Sequence, residues 1–203
     1  MLPPSPPPRA VLPIPNAAPY VGQPSSSQPF ARPYVAAPAA PNPNADAQYV
    51  QTALAAARSG DGARIRAAMA QIYDPTARKI ALWALIDGAP MMATFAEADA
   101  ARRDLAGWPR EVRREEAAET LMPMSSLPPQ AVIAWFGGQT PRTGQGALAL
   151  ARALNATGQP TVAAAVIRQA WRTMAFDQAT QDAIIAVFGA TLTIDDYEAR
   201  EDM

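Results

Sequence analysis

Proline divides this chain before any other residue type does. Fourteen of the 22 prolines fall in residues 1–44, where Arg9 and Arg32 are the only charges. Each of those prolines removes a backbone donor and fixes φ. A stretch so dense in proline, with no apolar period, cannot form a helix or bury a core. Residues 1–44 are therefore expected to be a disordered Pro-rich tail or linker, partly polyproline II. Tyr20, Phe30 and Tyr34 are scattered through it, and a plain spacer accounts for them better than a docking motif does.

From Asp46 onward the spacing is helical, and residues 45–203 read as an all-α domain. Helix starts and stops are well marked. Asp61 caps a helix that runs to about Ile72, and Asp74-Pro75 caps another that Gly88 stops. Thr94 to Glu97 forms a capping box, with Gly107 as the stop. Pro109 is expected to open a helix that ends near Met122-Pro123. A short helix follows Pro128-Pro129 and ends at Gly137-Gly138. Further starts fall at Thr143, Pro160, Asp177 and Thr193, with stops at Gly158, about Met174 and Gly189. Val162, Val166, Ile167, Ala170, Trp171 and Met174 follow steps of three and four, which is one helix face. Alanine fills 47 of 203 positions and lets helices approach closely.

Every second start is evenly spaced: Pro75, Pro109, Gly144 and Gln178 are separated by about 34 residues, the period of helix-pair solenoids of the tetratricopeptide type. The expected fold is a right-handed superhelix of antiparallel helix pairs.

Composition excludes much chemistry. With no cysteine and no histidine, disulfides, Cys/His zinc sites and Ser-His-Asp or Cys-His catalysis are impossible. A net charge of −1 gives no field that would draw nucleic acid or an anionic membrane. Arg102, Arg103, Arg110, Arg113 and Arg114 cluster, but the acids of residues 97–119 outnumber them, so no phosphate-binding face is expected. Glu111, Glu115, Glu116 and Glu119 share a helix with three of those arginines and read as its solvated face. No carboxylate stands alone in an apolar stretch, where a raised pKa would be expected. Gly137, Gly138, Gly144 and Gly146 lack the lysine of a phosphate loop and read as a connector. Trp83, Trp108, Trp135 and Trp171 are expected to pack rather than to bind. The reading assigns no catalytic, cofactor-binding or metal-binding residue and no cofactor. The start Met1-Leu2-Pro3-Pro4-Ser5 is no secretion signal, and no run has the length and apolarity of a transmembrane segment.

One ordered series points further. It comprises Asp74-Pro75, Arg78-Lys79, Leu82-Trp83, Phe95 to Glu97, Trp108-Pro109-Arg110 and Ala134-Trp135-Phe136. It continues with Ile167 to Arg172, Phe188-Gly189, Leu192-Thr193 and Asp195-Asp196. In this order the series resembles the N-terminal helical (U-type) region of soluble lytic murein transglycosylases. The resemblance implies a periplasmic parent that cleaves the MurNAc–GlcNAc bond of peptidoglycan, forming 1,6-anhydromuropeptides in cell-wall turnover. Its glycan path is surrounded by a helical superhelix, and its single catalytic glutamate lies in a later lysozyme-like domain, in a Glu-Ser context. No Glu-Ser pair occurs here, so no catalytic residue is carried over. The chain is expected to be inactive alone, a non-catalytic scaffold truncated at Met203. Its expected partners are the glycan strand, through the parent, and proteins along the superhelix. The alternative is a stand-alone helical-repeat adaptor for protein partners.

Overall fold

The computed structural model describes residues 43–202. The expected disorder of residues 1–42, and the aromatics scattered there, lie outside the described residues. Among the described residues all regular structure is helical. The elements are α1 (Pro43–Arg58), α2 (Gly62–Met69), α3 (Pro75–Gly88), α4 (Phe95–Asp104), α5 (Glu111–Leu121), α6 (Pro129–Phe136), α7 (Gly144–Ala156), α8 (Pro160–Thr173), α9 (Gln178–Phe188) and α10 (Ile194–Glu201), with short 3-10 turns at Pro90–Met92, Met122–Met124 and Gly189–Thr191.

The caps form where the residue types demand them. Asp61, Asp74 and Asp177 accept from the backbone N–H of Arg64, Ala77 and Thr180 at 2.9, 2.7 and 2.6 Å. Thr94 with Glu97, and Thr193 with Asp196, close reciprocal capping boxes. Each satisfies donors that a helix start leaves free.

Three boundaries differ from expectation. Helix α1 begins at Pro43, so the tail boundary drawn at residue 44 falls inside a helix. Pro109 does not open α5. Arg110 sits before it in the left-handed region, φ 64°, and turns the chain by one residue more. Gly144 and Gly146 are not connector residues; both are buried in the first turn of α7. Only Gly137 and Gly138, with φ of 55° and 82°, turn the chain after α6.

Two apolar cores result. Ala53, Ile65, Ile72, Leu85, Ala98, Leu105 and Ala118 lie in the first, which α1 to α5 build. Leu148, Leu154, Ile167, Trp171, Ile184 and Phe188 lie in the second, which α6 to α9 build. Phe95 and Trp135 pack against both, their ring centroids 6.1 Å apart. Small residues set the closest approaches. A Cβ on Gly88 of α3 would stand 2.7 Å from Ala57 Cβ and 2.9 Å from Ala57 O of α1.

Helix α10 offers only a thin apolar stripe, and a helix this short is not held by its own hydrogen bonds. Instead it docks through polar and aromatic groups. Asp196 is fully buried and accepts from Arg172 Nε at 2.5 Å. Tyr197 meets Trp171 edge-on, centroids 5.4 Å apart. Arg200 stands over the Trp171 and Phe176 rings at 4.7 and 4.4 Å and donates to Trp171 O and Met174 O, both at 3.1 Å. Trp171, 1 % exposed, is a packing residue.

A Gly146→Ala exchange separates propensity from packing. Alanine in a helix interior is favoured over glycine by up to about 1 kcal/mol. Here the new Cβ would strike the buried Glu119 carboxylate and approach Glu119 Cβ at 3.0 Å. Overpacking of this kind costs about 1–3 kcal/mol. Urea denaturation should show the variant less stable than wild type; a gain would mean that Glu119 moves aside freely.

Candidate functional site

A cleft opens between α6, α7 and α8. Ile133 and Phe136 of α6, Leu150 and Leu154 of α7, and Val162 and Val166 of α8 line it, with Gln139, Thr140 and Gln169 adding polar atoms. Its volume is about 460 Å³, and no ionisable side chain lines it. Val162 is 49 % exposed at its edge. The left-handed Gly137-Gly138 turn brings Gln139 and Thr140 to this cleft.

Phe136, Gln139 and Thr140 also border a charged cluster on the other side. Here lie Arg102, Glu115, Glu119, Trp135 and Arg142 around a space of about 20 Å³, enough for one water. Glu119, expected on a solvated face, is 3 % exposed. Its Oε2 accepts from the backbone N–H of Arg142 and of Thr143, both at 2.8 Å, and from Thr143 Oγ1 at 3.0 Å. Burial pushes its carboxyl above the ordinary glutamate value, against the pull of these bonds. Glu115 pairs with Arg142 at 2.6 Å. Asp99 accepts from Trp135 Nε1 at 2.8 Å, and from Arg102 and Arg103. Burial pushes Asp99 up, but the bonds from Trp135, Arg103 and Arg102 outweigh it and hold the carboxyl below its usual value. Arg102 stacks over the Trp135 ring, 4.9 Å from its centroid.

Arg114 also departs from the solvated-face reading. It is fully buried and donates to the carbonyls of Leu105, Trp108 and Pro109 at 2.8, 2.9 and 2.6 Å. The guanidinium thereby gathers the C-cap carbonyl of α4 and two carbonyls of the loop that leads into α5. Asp46 of α1 does the reverse for α3, accepting from Tyr73 N and Asp74 N at 3.1 and 2.8 Å.

The cleft offers an apolar lining, and charged side chains fix the chain around neighbouring helix ends. The arrangement does not assemble an acid–base pair. Glu119 and Asp99 are each occupied by several donors, and Glu115 is paired with Arg142. Among the described residues no group of three or more carboxylates could hold a metal ion, and no helix is long and apolar enough to cross a membrane. Sequence reasoning missed Glu119, Asp99, Arg114 and Asp46. One signal was available for Glu119: two glycines in the first turn of α7, in a chain that uses alanine almost everywhere else, mark a close approach.

The Glu119 titration has a definite sign. Its folded pKa is raised, so between the ordinary value, about 4.3, and the folded one the native state binds more protons than the unfolded. That contribution is fully present below the ordinary value and is lost as pH rises through the folded pKa. The stability of wild type relative to Glu119→Gln should therefore increase as pH falls from 7 to about 4.5. Urea titrations of both proteins across that range check it; a difference independent of pH would refute it.

The chain matches no protein-family model, no curated protein and no solved structure.

Proposed function

We propose that the chain is a non-catalytic helical scaffold whose α6–α8 cleft receives an amphipathic helix of a protein partner. The carrying observation is the cleft: about 460 Å³, lined by no ionisable side chain, with Val162 standing half-exposed at its edge. Grooves between helices take the apolar i, i+3, i+4, i+7 face of a partner helix. The absence of charge from the lining asks for an uncharged docking face.

The scaffold is read as a right-handed superhelix of antiparallel helix pairs. A repeated brace supports this. Helices α3 and α7 start at Pro75 and Gly144, two periods apart in the sequence. Each has the two residues before its start held by a carboxylate from an earlier helix, Asp46 for Tyr73 and Asp74, Glu119 for Arg142 and Thr143.

A second reading keeps the resemblance to lytic murein transglycosylases. In it the chain is the periplasmic scaffold of a peptidoglycan-cleaving parent, and a glycan strand is the ligand. The observation favouring it is the group of polar side chains, Arg102, Arg142, Glu115 and Gln139, beside the half-buried Trp135, a mixture of polar and aromatic groups that a sugar could meet if Arg102 swings off the ring.

A photo-crosslinking residue placed at Gln139, which borders both the cleft and the Trp135 cluster, tests both in the producing cell. Crosslinks to one helical protein segment, abolished by Val162→Glu without a change in melting temperature, are expected. Crosslinks to muropeptides would replace the first reading with the second. Crosslinks to neither would remove both.

A further inference from the structure

A smaller pocket of about 220 Å³ lies where the end of α3 and the Pro90–Met92 turn meet α5, and it shares no residue with the α6–α8 cleft. Ile86, Pro90, Met91 and Leu121 give it an apolar wall. Asp87 stands in the polar wall, its side chain 6 % exposed. Its Oδ2 accepts from Arg110 at 3.1 Å. Its Oδ1 is buried and accepts from nothing.

That oxygen is unfavourable twice over. A buried acceptor without a donor has lost its water and gained nothing in return. It also sits one residue from the end of α3, at the negative pole of the helix dipole. The arginine that serves the other oxygen does so from a left-handed backbone, φ 64°, which non-glycine residues rarely adopt. Unfavourable features that persist together at a pocket wall point to a ligand that relieves them. Glu116, half-buried, lines the same pocket without a bonded partner, as does the exposed Arg113. Arg110 offsets the charge of Asp87, which leaves Glu116 and Asp87 Oδ1 as the acceptors here without a bonded donor.

We propose that this pocket binds a primary ammonium on an aliphatic stem. The ammonium carries three donors, enough to serve the Glu116 carboxylate and, once Met91 moves aside, the enclosed Asp87 Oδ1 as well. The stem lies against Ile86, Pro90 and Leu121. Entry is past Met91, 64 % exposed and unbranched, so easily displaced. Arg113 keeps its charge in water. The same chemistry is offered by a free alkylamine and by a lysine side chain of a partner peptide.

The full chain, labelled at its methionine methyls, would be titrated with n-butylammonium, with Nα-acetyl-lysine amide and with n-butanol as the uncharged control. Both amines are expected to shift the Met91 methyl resonance and to raise the melting temperature, and n-butanol to do neither. Glu116→Gln, at a half-buried residue with no partner to lose, should weaken amine binding about tenfold, the loss of one charge-assisted bond, and Asp87→Asn should weaken it as much or more. Binding of the lysine amide alone supports the proposal and names a peptide as the source; binding of butylammonium alone supports it and names a free amine. Equal binding of n-butanol would overturn it, leaving an apolar dimple. No binding by any probe would also overturn it and assign Asp87 Oδ1 to a trapped water.

Discussion

Glu119 ties the two cores together. It belongs to α5, the last helix of the first core, and its carboxylate takes the donors of Arg142 and Thr143, which open α7, the central helix of the second. Removing a carboxylate from water is unfavourable, and here three donors offset that. The geometry allows no spare volume: Gly146 is glycine because a Cβ there would overlap the carboxylate. The cleft depends on this joint, since α7 supplies Leu150 and Leu154 to its lining and the segment after α6 supplies Gln139 and Thr140. A shift of α7 against α5 would reshape both the apolar cleft and the charged cluster beside it.

The helices were legible because their signals are local. A cap such as Asp74, or the box of Thr94 and Glu97, is decided by residues three apart, and a reader of the sequence sees all the partners. The interior charges were illegible for the converse reason. Arg114 looks like its neighbours Arg113 and Arg110, and only the turn at Trp108–Arg110 folds three carbonyls onto it. Glu119 looks like Glu115 and Glu116, yet its partners come 23 and 24 positions later. A solvated face and an interior brace share one composition; what separates them is which side of α5 the second core covers. The cleft was illegible as well, because Val162 and Val166 continue a stripe that a helix normally buries completely.

Aromatic and basic residues cooperate at both cores. Arg102 on Trp135 and Arg200 between Trp171 and Phe176 use the planar guanidinium, which stacks on a ring while donating at its edge. An ammonium cannot do both. This accounts for arginine at positions where a count of charge alone would accept lysine, and it is how α10 holds to α8 with its largest apolar residue, Ile194, left in solvent.

The raised Glu119 carboxyl stands against an unusually quiet background. With no histidine and no cysteine, the chain has no side chain whose ordinary pKa lies between those of the carboxylates, about 4, and those of tyrosine and lysine, about 10. No side chain with an ordinary pKa therefore changes its charge across the neutral range. Electrophoretic mobility, solubility and attraction to charged surfaces share that plateau. The one carboxyl that burial pushes upward, Glu119, sits at the seam between the two cores, so the joint itself responds as pH falls toward the carboxylate range.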